Sequence, residues 1–174
     1  LQDQTIYSKA GYLSEDISTF DAAFFNVSAK EAVFLDPQQR LLLETTFEAF
    51  EQGGLDIQHY KGSRAGVFIG VCSHDYSQLI EQSEEADSGA LYIPTGNAAS
   101  TASGRISYTY GFEGPNLVVD TACSSSLVCV HLACNSLLSG ESDLAVAGGV
   151  NLFLDPKMTK AFQEGQMLSP DGHC

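Results

Sequence analysis

Apolar residues change their spacing several times along this chain, and each change marks an element. Over residues 37–52, Leu43, Phe47 and Phe50 recur at helical spacing and share one face. Asp36 suits an N-cap, Pro37 suits the first helical position, and Gln39 completes a capping-box-like pattern. Gly53 and Gly54 supply the stop. Residues 65–71 form an unbroken apolar run, short enough for a buried strand. Residues 81–89 are acidic and serine-bearing, which predicts an exposed loop, and residues 8–27 read as short turns anchored by Phe20, Phe24 and Phe25. The Ala, Ser and Gly of residues 95–106 suit a helix packed closely against another backbone. A turn over 111–116, a strand over 117–120, a helix over 124–138 and a strand over 143–150 follow. That order predicts an α/β fold with a βαβ unit and a parallel sheet covered on both faces. No internal repeat, low-complexity linker or domain boundary interrupts the pattern.

The junction at Thr121-Ala122-Cys123-Ser124-Ser125-Ser126 places Cys123 where a buried strand turns into a helix. A thiol attacks as its thiolate, which a helix N-terminus favours. The unpaired N–H groups of the first turn can also hold an oxyanion formed beside the sulfur. The arrangement parallels the strand–nucleophile–helix elbow of hydrolases, with Cys in place of Ser. The three serines fit helix capping or tight packing better than a nucleophile's place. His131 lies more than two helical turns beyond Cys123, so it reads as a packed or hydrogen-bonded core histidine. A metal site from Cys123, Cys129, His131 and Cys134 fails, because Cys123 and Cys134 would stand ~16 Å apart along the helix. Cys129 and Cys134 read as core thiols, and Cys72 and Cys174 offer no site. Asp120 fits a cap on loop N–H groups, Gly148-Gly149 close backbone packing, and Arg105 a structural ion pair or an interface.

Charge and cysteine content narrow the class. A net charge of −14 argues against nucleic-acid binding. The sequence shows neither an 18-residue apolar run nor a signal-peptide pattern, so no membrane span is expected. Five irregularly spaced cysteines read as reduced thiols of a cytoplasmic protein rather than a disulfide framework.

Beyond the elbow, several segments resemble one family in its own order. These are FDAAFF (20–25), LDPQQRLLLE (35–44), GSRAGVFIG (62–70), TGNAASTASGRISY (95–108), GPNLVVDTACSSSLV (114–128), HLACNSLLSGESDLAVAGGVN (131–151) and MLSPDGHC (167–174). Together they resemble the β-ketoacyl synthase, or ketosynthase, domain of type I polyketide synthases, with type I fatty acid synthases the nearest competitor. The resemblance implies a thiolase-like layered αβαβα fold, of which residues 1–174 would be roughly the N-terminal half, cut at both ends. It implies that Cys123 takes an acyl group from a carrier-protein thioester, with its backbone N–H as one oxyanion donor. A malonyl-type thioester, decarboxylated, would then attack that acyl group. Family members use two histidines, in HGTGT-like and NxGH-like motifs, and none of His59, His74, His131 and His173 has those contexts. The fragment alone is therefore expected to be inactive and poorly stable. No metal or bound cofactor is implied; phosphopantetheine belongs to the partner acyl carrier protein. A homodimer is implied, with residues 95–108 and the strand before Cys123 at or near its interface. A non-elongating acyl-transfer or dimerisation module and a Cys hydrolase stay open as other classes.

Overall fold

The computed structural model describes residues 10–84 and 86–173, so Ser8, Lys9 and Cys174 lie outside it. The chain falls into two compact units, Phe20–Leu152 and Leu1–Thr19 with Phe153–Cys174, a division the sequence pattern did not reveal. In the smaller unit, α7 (Lys157–Glu164) is a short helix with no buried residue, and Asp155 accepts from the Lys157 N–H at its start.

The larger unit is built on a three-stranded parallel sheet in the order β2-β1-β3, with β1 at Ala65–Val71, β2 at Asn116–Val119 and β3 at Leu144–Val150. Gly70 of β1 pairs with Val119 of β2 and Gly149 of β3. Every residue of β1 is buried. Its odd-numbered side chains, Val67 and Ile69, join a core with Leu43, Phe50 and Ile106; Phe68 packs the other way against Cys129 and Ala133. A strand covered on both faces has no polar alternation, which is why 65–71 reads as one apolar run. The first core comes from α2 (Pro37–Gln52) and α5 (Ala99–Tyr110), the second from α6 (Ser125–Ser139). The result is a helix–sheet–helix sandwich, the covered parallel sheet that the thiolase-like expectation calls for.

α1 (Ala29–Phe34) and α3 (Asp75–Glu81) are short. The acidic 81–89 segment is more ordered than a loop, since α3 ends at Glu81 and a 3-10 turn covers Ala86–Gly89. The helix expected over 95–106 is two, α4 (Tyr92–Asn97) and α5, broken at an extended Ala98. The break arises because Gly96 lies against the end of α1, where a Cβ would stand 2.5 Å from the Phe34 carbonyl oxygen. Gly96 then gives its own carbonyl to the Asp36 N–H (3.0 Å) and to Gln39 Nε2 (2.9 Å) instead of to a helix. The capping box at α2 is correspondingly half-made. Asp36 accepts from the Gln38 N–H at 2.8 Å, but Gln39 reaches across to Gly96 and Thr101 rather than back to its own cap.

Residues 122–139 are long and apolar enough on average to cross a membrane, although serines, His131 and Asn135 interrupt the stretch. The helix within it packs one side on the sheet through Cys129, Ala133 and Ser136.

Candidate active site

β2 stops at Val119 and α6 starts at Ser125, so the chain must reverse within five residues. Short polar side chains make that reversal. Asp120 Oδ1 accepts from the Ala122 N–H (3.0 Å), the loop cap expected of it. The Thr121 N–H donates to Ser125 Oγ (2.9 Å), whose hydroxyl donates to the Ala122 carbonyl (2.7 Å). Ser124 Oγ donates to the Thr121 carbonyl at 2.8 Å. All three bonds lie within the turn, so Ser124 and Ser125 hold its shape. Ala122 adopts φ +53°, a left-handed conformation that a residue with a Cβ enters at some cost and that this network holds in place. The turn folds Cys123 back beside Thr121, and the two form a one-residue parallel bridge.

Cys123 is thus carried at the crest of the turn, exposed, just ahead of the first turn of α6. Its backbone N–H makes no hydrogen bond among the described residues. Two glycines let the helix come this close to the sheet. A Cβ on Gly70 would stand 2.8 Å from Ser125 Cβ, and one on Gly149 would stand 3.1 Å from Ser126 Cβ. Close packing was the expectation for the Gly148-Gly149 pair; the role of Gly70 was not foreseen. Its signal is a glycine inside an otherwise apolar strand, which marks close backbone approach.

The other candidates separate cleanly. Cys129 is fully buried, and burial pushes its thiol up. Cys134 is exposed rather than a core thiol, since it lies off the stripe of α6 that meets the sheet. His131 is likewise exposed, sharing a hydrogen bond with Asn135 one turn on (2.9 Å), which corrects its reading as a core histidine. Among the described residues of Phe20–Leu152, no histidine hydrogen-bonds the Cys123 thiol. Arg105 is the structural ion pair anticipated: it meets Glu31 at 2.8 Å and Gln39 Oε1 at 3.0 Å. No cluster of three or more His, Cys, Asp or Glu side chains able to hold a metal occurs among the described residues.

One neighbour was missed. Cys72 follows β1 directly and reaches the same end of the sheet. Its thiol is pushed up, first by its own desolvation and then by the charges of Asp120 and Cys123. The residue after it is fixed by Gln38, whose Nε2 donates to the Ser73 carbonyl (3.1 Å) and whose Oε1 accepts from Ser73 Oγ (3.0 Å) and the Leu152 N–H (3.2 Å). Gln38 therefore ties the exits of β1 and β3 together.

Comparison with known proteins places this geometry. Residues 2–174 match the β-ketoacyl synthase N-terminal domain. The chain is 50% identical over 172 residues to the polyketide synthase GfsA of Streptomyces halstedii, covering 99% of this chain and 2% of that protein. It is 45% identical over 170 residues to the erythronolide synthase EryA3 of Saccharopolyspora erythraea, covering 98% of this chain and 5% of that one. Among solved structures, the ketosynthase from module 6 of the bacillaene synthase of Bacillus subtilis 168 superposes with a TM-score of 0.81 at 38% identity, over 94% of this chain and 27% of its own. An oxazolomycin ketosynthase domain from Streptomyces albus JA3453 gives 0.82 at 38% identity, over 95% and 28%. The chain thus spans a few per cent of these synthases and about a quarter of the ketosynthase structures.

Proposed function

Because the chain belongs to the β-ketoacyl synthase family, we propose that it supplies the acyl-carrying part of a polyketide synthase condensing site, with Cys123 as the nucleophile. The observation that carries this reading is the elbow itself. It presents one exposed thiol at the mouth of a helix, on a turn whose polar groups are otherwise spoken for. In this reading the Cys123 sulfur attacks the carbonyl carbon of an acyl thioester presented on the phosphopantetheine arm of an acyl carrier protein. The carbonyl oxygen becomes an oxyanion, and the unengaged Cys123 N–H is aimed to receive it. Collapse expels the pantetheine thiolate and leaves the acyl group on Cys123. A decarboxylated malonyl-type thioester then adds to that carbon, and Cys123 is the leaving group. The absence of a histidine on the thiol within Phe20–Leu152 weighs against hydrolysis by a local Cys–His pair.

A complete ketosynthase domain carrying this chain, exposed to an acyl-thioester probe, gains the acyl mass on Cys123. Cys123→Ala abolishes that gain, while Cys129→Ala and Cys134→Ala retain it. Normal acylation of Cys123→Ala would overturn the assignment.

We place a homodimer contact at α5 and β2. β2 is an edge strand with Leu117 46% exposed, Tyr108 of α5 is 86% exposed, and a Cβ on Gly104 would meet nothing within 4 Å. These features leave room for a second backbone, as an isologous two-fold contact requires. Ala99→Arg shifts the complete domain toward monomer in sedimentation at low concentration; an unchanged dimer would move the interface elsewhere.

A further inference from the structure

The second cysteine at the elbow is not needed for the acyl transfer proposed above, and its placement suits a different chemistry. The β1–β2 register ends with Gly70 paired to Val119, so Cys72 and Thr121 each lie two residues past the last pair, at the same end of the sheet. Neighbouring strands run ~4.8 Å apart. The left-handed turn at Ala122 brings Cys123 back onto Thr121, so both cysteines stand at that end. They also share a side of the sheet. Even-numbered β1 positions face α6, as Phe68 does toward Cys129 and Gly70 toward Ser125, and Cys72 continues that alternation. Ser73, the next residue, is clamped at its carbonyl and hydroxyl by Gln38, which fixes where Cys72 stands. A disulfide requires Cα atoms about 4.4–6.8 Å apart; Cys72 and Cys123 lie near enough at this end of the sheet for the charge of one to act on the other, and closing the bridge draws the exposed turn that carries Cys123 toward the end of β1. Both residues are exposed to small oxidants.

We propose that Cys72 and Cys123 form a hydroperoxide-sensitive modification site, in which Cys72 is the resolving thiol that captures oxidised Cys123 as a reversible disulfide. The inference rests on the reading of Cys123 as the reactive nucleophile. In the first step the Cys123 sulfur attacks the peroxide O–O bond and takes one oxygen; the peroxide is reduced to water or an alcohol, and Cys123 becomes a sulfenic acid. In the second the Cys72 sulfur attacks the Cys123 sulfur, the S–O bond breaks, and the departing hydroxide takes the Cys72 proton and leaves as water. A thiol reductant returns both residues to thiols by exchange. The closed disulfide cannot accept an acyl group, and it keeps Cys123 off the irreversible path to sulfinic acid. Desolvation keeps Cys72 protonated, which suits a partner that waits until Cys123 has been oxidised.

The test uses the complete synthase protein carrying this chain, with hydrogen peroxide as the probe. Acylation of Cys123 by an acyl-thioester probe is recorded before oxidation, after it, and after thiol reduction. Digestion under non-reducing conditions then reports on residues 72 and 123. The expected result is a cross-linked pair of peptides bearing Cys72 and Cys123, and near-complete return of acylation on reduction. In Cys72→Ser, and in Cys72→Ala as a second variant, untreated acylation is retained, peroxide drives Cys123 to sulfinic acid, and reduction restores several-fold less activity. Equal recovery in wild type and both variants, with no cross-linked peptide, overturns the proposal while leaving Cys123 acylation intact. A cross-link in a protein whose Cys123 never acylates would instead overturn the functional reading and leave the dithiol site standing.

Discussion

α2 and α6 are the two longest helices of the larger unit, and their composition and burial run in opposite directions. α2 is polar in composition, yet eight of its sixteen residues are buried, among them Gln38, Gln39 and Arg40. α6 is apolar enough to pass for a membrane segment, yet only Ser125, Cys129, Ala133 and Ser136 of its fifteen residues are buried. Leu127 is 75% and Leu138 86% exposed. The difference follows from what each helix does for the sheet. α2 buries amides because each finds partners: Arg40 donates from Nε and a terminal nitrogen to the Leu35 carbonyl, at 2.9 and 2.7 Å, and Gln38 spans the exits of two strands. A buried polar group with its bonds made costs little, and it fixes geometry that an apolar side chain would leave loose. α6 buries only small residues because it must lie almost on the backbone of β1 and β3 to bring its first turn to the elbow. Leu127, Val130, Leu137 and Leu138 point the other way, while Leu132 packs partly against the sheet. Under the proposed function they are covered by the rest of the ketosynthase domain.

The comparison breaks most sharply at Gln38. Gln38→Leu keeps the volume and removes every side-chain bond to Ser73, Leu152 and Asp36, leaving a backbone carbonyl and an N–H without partners in a part-buried site. Each such orphan costs ~1–3 kcal/mol, so a loss of about 3 kcal/mol is expected in urea unfolding of the complete domain. A change under about 0.5 kcal/mol would mean that water replaces the clasp.

On α6 the expectation depends on what surrounds it. In the complete domain, Leu127→Ser costs ~1.5–3 kcal/mol, the value of burying such a side chain. Residues 1–174 alone, with those leucines bare, bind a hydrophobic dye and aggregate, and Leu127→Ser together with Leu138→Ser reduces both. If the substitutions leave the complete domain's stability unchanged, α6 is exposed there too and its cover lies elsewhere.

Much of this was legible from pattern alone. The span 65–71 is β1 residue for residue, 37–52 is α2, and the elbow was located to within a residue, because each has a strong local signal: an apolar run, a capped amphipathic stretch, a strand ending in small polar residues. What escaped notice was set by partners far along the chain. The break at Ala98 comes from contacts with Phe34, Asp36 and Gln39, and nothing near residue 98 announces it. The exposure of His131 and Cys134 depends on which stripe of an almost uniformly apolar helix meets the sheet, and periodicity is weak when nearly every position is apolar. Cys72 came to the site through strand register, which a single sequence does not display.

The smallest effect tests α2 at its cap. Asp36 is 4% exposed, and its carboxyl is pushed up by desolvation, against the opposing pull of the Gln38 N–H, the Gln38 side chain, His74 and Arg40. A carboxyl raised in the folded state binds its proton more tightly there than in the unfolded chain. Its contribution to stability is therefore complete below the ordinary value of 3.8 and is lost as the pH rises through the raised one. At neutral pH the buried charge opposes folding. Asp36→Asn keeps an oxygen for the Gln38 N–H, gives up the bond from Gln38 Nε2, and removes the charge. One lost hydrogen bond, ~1 kcal/mol, is set against relief of the desolvation, so stability at pH 7 changes by no more than about 1 kcal/mol. The clearer readout is the slope. Urea midpoints of the complete domain, measured from pH 4 to pH 7, fall less with rising pH in Asp36→Asn than in the wild type. Parallel curves would mean that the cap stays solvated and that α2 begins, like α6, at an open end.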